Sequence, residues 1–440
     1  MSRYKEGIDR NQLNMIPMSL DDMISEDNVV RALELIVDSL HIEVLNFKYN
    51  ETAETGQKPY DPSDMFKLYI YSYYNGIRSS RKIERECHRN IEVMWLVHGL
   101  KPDHKTISEF RRNNKGSIQQ AFRKFSLLCN DLGLISKEFV AVDGSKFRAS
   151  NSKDQYYSSG KVSSLINYYT EAAERYLNLL EQNDKVSSSE QVDIESVKKR
   201  LERANIRLQE LEQIQNRVET DGPFCITDPD SKNMIVNNGG HDISYNVQIA
   251  VEPTSHIVLA VDTTNEGMDY KQLHNMSQRA KDTLGTDELT VVADRGYYSK
   301  AEFEKCKANK IMPIVPKPLR GHSSDTAYLK NNFIYDKKND VYVCPRGEVL
   351  IPRPGSKTNV TIYRNSKACK NCPEHNDCSS AISGRRITRR PDDNFADEVD
   401  ERTQVNSALV HKRKCLVEHC FGIVKRMFGS HIFLPEGWKM

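Results

Sequence analysis

Residues Glu138–Ala149 read EFVAVDGSKFRA. Phe139, Val140, Ala141 and Val142 make a short apolar run of strand type that stops at Asp143, and Gly144 and Ser145 follow. An acid at the end of a buried strand is costly unless a charged group faces it. These residues alone leave two readings open. Asp143 is a strand-end residue that starts a turn, or it is one member of a carboxylate site whose partners lie elsewhere, with Asp294 and Glu418 as the candidates.

The pattern recurs in ELTVVADRGYYS, Glu288–Ser299. Leu289, Val291, Val292 and Ala293 form a second buried strand, Asp294 ends it, and Arg295 and Gly296 follow. Further strands are expected at DISYNVQIAV (242–251), IVLAVD (257–262) and 311–315, with helices at about 270–284 and 299–309. Strands alternating with helices indicate an α/β layer with a mixed sheet, and such sheets place their sites at the carboxyl ends of strands. Asp262 also ends a strand. It ranks below Asp294, because Thr263-Thr264-Asn265 continues the extended segment and no basic or glycine turn follows.

The chain has 440 residues, 38% apolar and 28% charged, enough for two or three domains with a sizeable core. It lacks a bilayer-length apolar run and an apolar signal core, which reads as a cytoplasmic protein. The net charge of +2 averages basic and acidic regions and says little about partners. Ten cysteines without a secretion signal argue against a disulfide framework.

A helix is expected over residues 19–47, with Ser19 and Asp21 as start signals and Val29, Val30, Leu33, Leu35, Ile36 and Leu40 as its stripe. A second, aromatic helix follows the break at Pro59–Pro62 and ends at Gly76. Arg78, Arg81, Lys82, Arg85 and Arg89 make the next segment basic. After the turn Gly99–Pro102, DHKTISEFRR (103–112) starts at an Asp103 or Thr106 cap, with Ile107 and Phe110 inward and Lys105, Ser108, Arg111 and Arg112 outward. Short helices, a tight turn and basic outer faces suit a helix-turn-helix on DNA. A helical bundle with a solvated basic face is the alternative.

Leu165, Tyr169, Ala172, Tyr176 and Leu179, then Val197, Leu201, Ala204, Leu208 and Leu211, step at helical spacing either side of a polar linker. This is a helical hairpin, serving as a structural insert or dimerisation arm. Further on, Cys344 precedes the close trio Cys369, Cys372 and Cys378. A CxxC turn with a third and fourth thiol suits tetrahedral zinc, with His375 able to replace one ligand. The alternative is a set of reduced thiols in a small β-rich insert. Cys87, Cys129, Cys225, Cys306, Cys415 and Cys420 read as small buried apolar residues. Residues 402–427 lack Pro and read as one helix. On it Val417, Phe421, Val424 and Phe428 share a face with Glu418 beside it, and Lys414 and Lys425 lie one and two turns away.

VAVDGSKFRA around Asp143, VVADRGYYS around Asp294 and KRKCLVEHCFGIVKRMFG around Glu418 resemble the motifs of bacterial insertion-sequence transposases of the Asp-Asp-Glu type. DPSDMFKLYIYSYYNGIRSSRKIERECHRNIEVMWL and PDHKTISEFRR resemble the opening domain of such enzymes, and CPRG with CKNCPEHNDC resembles the cysteine insert of one branch. The likeness covers nearly the whole chain. It implies an α/β catalytic core of RNase H-like type, with an α-helical N-terminal domain, a helical-hairpin insert and a small Cys-rich insert. The corresponding spans are 1–135 for the DNA-binding domain, 136–320 for the first part of the core with the hairpin at about 160–220, 333–380 for the Cys-rich insert and 400–440 for the closing helix.

The resemblance implies that Asp143, Asp294 and Glu418 are the catalytic, metal-binding triad. Three converging carboxylates repel one another and call for divalent cations, and oxygen-only ligands suit two ions of Mg2+ or Mn2+. Asp143 would bridge both, with Asp294 and Glu418 each holding one. Water would cut the strand at the element's end, and the resulting 3′-hydroxyl would be joined to target DNA. Arg148, Arg295, Lys414 and Lys425 would hold the DNA backbone, with Arg78, Arg81, Lys82, Lys105, Arg111 and Arg112 contributing from the N-terminal domain. Cys344, Cys369, Cys372 and Cys378 would hold zinc. Double-stranded DNA is the expected partner, and a homodimer is expected because two ends must be brought together.

The family's third motif has Tyr and Arg before the Glu and Lys after it. His411 and Lys414 stand in the first two places here, and Lys425 matches the third. Lys414 offers a point charge without the bidentate fork of Arg. Relatives also run on into further helix after a segment like Gly437-Trp438-Lys439, whereas this sequence stops at Met440. Competing readings are a truncated or decayed copy that only binds DNA, a metal-dependent nuclease that cuts without joining, and a zinc-dependent binding module.

Overall fold

The computed structural model describes residues 19–48, 58–149, 153–183, 194–236, 239–318, 328–354, 360–391 and 393–427. Most of the hairpin linker, Phe428 and the segment at 437–439 lie outside the described residues. The chain divides into two units, one formed largely by the residues up to Leu132 and the other by Gly133–Gly422.

The first unit is helical. The segment expected as one helix over 19–47 is a 3-10 turn Asp21–Met23, the helix α1 (Val29–Ser39) and a second 3-10 turn Ile42–Val44. The Asn28 side chain caps α1 by accepting from the Val30 N–H, and His41 in a left-handed conformation (φ 51°) prevents continuation. Helix α2 (Pro62–Tyr74) starts on an Asp61 cap with Pro62 in its first turn, and Gly76 (φ 72°) turns the chain out. It buries Met65, Phe66, Leu68, Tyr69 and Tyr71. Short helices α3 (Ser80–Glu86) and α4 (Ile91–Leu96) lead to a turn at Gly99 (φ 74°). Helix α5 (His104–Asn113) is capped as expected, with Asp103 accepting from Lys105 N at 2.8 Å and Thr106 N at 2.9 Å. Ile107 and Phe110 face the core, and α6 (Lys115–Asp131) closes the unit.

The second unit is built on a mixed sheet. Its central strand is β1 (Val140–Arg148), and β1 does not stop at Asp143 as the sequence suggested. The short strands β2 (Tyr156–Tyr157) and β3 (Phe224–Cys225) pair at the base of a helical pair, α7 (Ser159–Asn183) and α8 (Ile194–Asp221). Val162, Leu211 and Val218 are buried between those helices with Leu165 and Tyr169 against them, whereas Leu179 is exposed. The sheet continues with β4 (Lys232–Ile235), β5 (His241–Val251) and β6 (Val258–Thr264). After α9 (Leu273–Leu284) come β7 (Leu289–Val292), α10 (Lys300–Ala308) and β8 (Ile311–Ile314).

The strand order is β4-β5-β1-β7-β8, with β6 also paired to β5. Strand β5 runs antiparallel to β1 from Ala141↔Val251 to Arg148↔Ser244, which is why β1 extends past Asp143. Strands β7 and β8 are parallel to β1 and to each other, respectively. A separate antiparallel sheet of five strands follows, β9 (Ile334–Asp336), β10 (Val341–Val343), β11 (Val349–Pro354), β12 (Thr361–Arg364) and β13 (Ile387–Arg389). Between β12 and β13 lie the short helices α11 (Ser366–Lys370) and α12 (His375–Cys378).

The expected single C-terminal helix is two, α13 (Asp393–Val405) and α14 (Ser407–Gly422), followed by a π-helical turn Ile423–Met427. The break falls at Asn406, whose side-chain amide donates to the Arg402 carbonyl at 2.8 Å. Leu416, Val417, Cys420 and Phe421 of α14 pack on Ala141, Phe147, Ile249 and Val292 of the main sheet.

Candidate active site

Parallel pairing of β1 with β7 puts Ala141 beside Val292. Two residues on from each stand Asp143 and Asp294, so one register brings both acids to neighbouring positions. Burial, opposed by Arg413 and the Gly144 N–H and aided by the negative charge of Asp294, raises the Asp143 carboxyl to about 6. Asp294 caps the 3-10 turn Arg295–Tyr297 and accepts from Gly296 N at 2.7 Å.

A third group reaches this pair from α14, and it is a cation. Arg413 shares the buried face of the helix with Leu416, Val417, Cys420 and Phe421. Its Nη1 lies 3.0 Å from Asp143 Oδ2, and its Nε finds no partner among the described residues. Glu418 stands on the exposed flank, 3.8 Å from Lys414 Nζ, with its side chain 64% exposed. The structure thus brings Asp143 and Asp294 together, and the α14 side chain in contact with Asp143 is Arg413. Arg413 was not singled out from the sequence. Its spacing to Leu416, Val417 and Cys420 was the signal, masked by the cationic run His411–Lys414.

Beneath the acids lies a buried polar network. Tyr297 is fully buried and donates its hydroxyl to Gln248 Oε1. Burial holds that phenol well above its ordinary range, and the charges of Asp269, Asp143 and Asp294 add to the effect. Gln248 Nε2 and Asn246 Nδ2 donate to Asp269 Oδ1 at 2.7 Å and 2.6 Å. Burial lowers the Lys146 ammonium, which faces Asp269 at 3.6 Å and feels Asp143 and Asp294 as well. Asn246 Oδ1 is buried with no partner among the described residues. Asp269, Arg295, Gly296, Tyr298, Lys300 and Lys330 line an adjoining cavity of about 800 Å³. Asp262 is engaged elsewhere, by Arg279 at 3.2 Å and Asn275 at 2.7 Å.

The donors at Asp143, Asp294 and Asn246 are all oxygens, as hard divalent cations require. Mg2+ needs only one or two carboxylates when water and substrate phosphate fill the remaining positions. The orphaned Asn246 Oδ1 marks a place that lacks a donor, next to the half-buried Asp143. The residues present therefore fit Mg2+ or Mn2+ at the Asp143–Asp294 pair.

The other cations are distributed over the two units. Arg81, Lys82, Lys105 and Arg112 are exposed, while Arg78 and Arg111 are half-buried, with Arg111 donating to the Tyr73 hydroxyl at 2.8 Å. In the second unit Arg295 is exposed and Arg148 faces Asp242 at 3.4 Å. Lys425 lies in the turn after α14.

Cys344, Cys369, Cys372 and Cys378 line one small cavity together with His375. His375 Nδ1 lies 2.8 Å from the Cys369 carbonyl. Among the described residues, no group of three or more His, Cys, Asp or Glu is arranged to hold a metal ion. Of the remaining cysteines, Cys415 is exposed, against expectation, because it lies off the α14 face that docks on the sheet. The other five are buried.

Residues 18–113 match the family model Transposase domain (DUF772), and residues 225–436 match the family model Transposase DDE domain. No curated protein and no solved structure matches the chain. The chain belongs to the insertion-sequence transposases of the DDE type, enzymes of metal-dependent DNA cleavage and strand transfer. The core of that class is RNase H-like, consistent with antiparallel β5 and β6 on one side of β1 and parallel β7 and β8 on the other. No helix among the described residues is long and apolar enough to cross a membrane.

Proposed function

We propose that this transposase nicks the ends of its element and joins the freed 3′-hydroxyl to target DNA at a centre built on Asp143 and Asp294. The observation that carries this reading is the pairing of the two acids by the β1–β7 register, with Asp143 raised by burial and by its neighbour. Asp143 and Asp294 would hold the divalent cations, and Glu418 is the third acid implied by family resemblance. When bound, two such ions would supply an activated water and charge stabilisation at the leaving oxygen.

Arg413 neutralises part of the Asp143 charge and ties its carboxylate to α14. The Tyr297–Gln248 hydrogen bond holds the loop after β7 on strand β5, so that Asp294 keeps its place beside Asp143. Arg295 and Lys300, on the cavity wall, are suited to backbone phosphates, as are Arg148, Lys414 and Lys425. The helical N-terminal unit would hold the terminal repeat in a helix-turn-helix manner through Arg81, Lys82, Lys105 and Arg112, with a homodimer pairing two ends. Such an enzyme would work on the chromosome, in the bacterial cytoplasm.

Structural zinc at Cys344, Cys369, Cys372 and Cys378 is a separate part of the proposal. It is supported by the gathering of four thiols on one cavity and by the approach of Gly384, where a Cβ would stand 2.2 Å from Cys369 Cβ.

Labelled end DNA incubated with the protein and Mg2+ tests the main reading. Nicked and joined products that vanish with EDTA are expected. Nicks without joined products favour a nuclease, and DNA binding without either product favours a catalytically dead copy.

A further inference from the structure

The geometry points to Asp269 as an acid that serves the divalent-cation site from its outer shell, through water bound to the ion, since no three described acids are arranged to ligate one ion directly. This role rests on the reading of Asp143 and Asp294 as the cation-binding pair. Asp269 belongs to neither strand end. It lies in the loop between β6 and α9, and it lines the cavity beside Arg295 and Gly296.

One of its oxygens is already committed. Asp269 Oδ1 accepts from Asn246 Nδ2 at 2.6 Å and Gln248 Nε2 at 2.7 Å, and Lys146 Nζ is 3.6 Å away. Several donors on a single oxygen hinder the rotation of the carboxylate. The second oxygen is thereby aimed toward the loop after β7. Asp269 Oδ2 lies 3.8 Å from the place a Cβ on Gly296 would occupy, and Asp294 Oδ1 lies 2.9 Å from that same place. On the other side, a Cβ on Gly144, the residue after Asp143, would stand 2.7 Å from Asp269 Oδ1. Asp269 therefore sits between Gly144, next to Asp143 on β1, and the turn after β7 that Asp294 caps. The glycines at 144 and 296 leave that space open.

A second observation concerns the other end of the Asn246 amide. Asn246 is fully buried, yet its Oδ1 has no partner among the described residues, and it lies 3.0 Å from the same Gly144 position. A buried amide oxygen left without a donor keeps its full desolvation penalty. A hard cation, or water bound to one, supplies what it lacks. Carboxylates plus an amide oxygen are the donor set that Mg2+ and Mn2+ take, with water completing the shell.

Titration of full-length protein with Mn2+, followed by electron paramagnetic resonance without DNA, tests this directly. Asp269→Asn is expected to weaken Mn2+ binding at least about tenfold, as Asp294→Asn does. If Asp269→Asn binds like the parent while Asp294→Asn does not, Asp269 is only structural and the paired-acid reading stands. If both bind like the parent, the paired-acid reading itself fails, and this inference with it. Should Asp269→Asn not fold, Asp269→Glu keeps an acceptor for Asn246 and Gln248 and misplaces the second oxygen. Weakened Mn2+ binding is again expected, and binding equal to the parent overturns the role.

Discussion

Arg413 Nη1 lies 3.0 Å from Asp143 Oδ2, joining the closing helix to the central strand through an ion pair in which the Arg413 side chain is only 9% exposed. Removing one partner of such a pair leaves the other charge buried and uncompensated, at a cost of about 3 kcal/mol. Arg413→Met should lower unfolding stability in urea by about that amount at neutral pH. The same change at Lys414, on the exposed flank, should cost less than about 0.5 kcal/mol. Equal losses at the two positions would show that the helix face has been assigned wrongly.

Asp143 makes metal-free stability depend on pH. Its folded value is about 6, against about 3.9 for a free Asp. A carboxyl raised on folding contributes stability fully below the unfolded value and loses it as pH rises through the folded value. In EDTA, the stability of Asp143→Asn relative to the parent should therefore rise by on the order of 2 kcal/mol between about pH 4 and about pH 8. Mg2+ should then stabilise the parent and leave the variant unchanged. Urea melts across pH check both expectations, and a flat difference removes the burial argument.

Tyr297→Phe deletes the hydroxyl that donates to Gln248 Oε1 in a fully buried position. An acceptor left without its donor there should cost about 1–3 kcal/mol. Strand cleavage should fall with it, because the loop carrying Asp294 loses its tie to β5. Unchanged cleavage with reduced stability would limit Tyr297 to packing.

The zinc proposal makes a stoichiometric prediction. Elemental analysis of protein purified without chelator should find one zinc per chain, and Cys372→Ser should lose it. Gly384→Ala should lower zinc content too, because Gly384 has φ 82° and its Cβ would collide with Cys369. Zinc-free protein with a normal melting curve would leave the four thiols as reduced residues of the small sheet.

Asp143 and Asp294 stand out in the sequence because each follows a short apolar run and is followed by glycine at once or one residue later. Their pairing was not legible, since it depends on the β1–β7 register between segments far apart in the chain. The extent of β1 was misjudged for a similar reason. Gly144 and Ser145 read as a turn locally, but β5 pairs with them as Gln248 and Val247. Arg413 was hidden in a run of cations, where only the docking of α14 decides which one turns inward. Asp269 carried no local signal, lying in a polar loop, and its importance rests on Asn246 and Gln248 in the neighbouring strand. Helix caps such as Asp61 and Asp103 are decided within a few residues. Asp103 caps its helix as its sequence position implies.

The most direct test of the central claim compares the parent with Asp294→Asn on labelled terminal DNA in Mg2+, scoring binding, nicking and joining in the same samples. Undiminished DNA binding is expected, with both nicking and joining lost in the variant. Nicking and joining by Asp294→Asn at the parent rate would contradict the account.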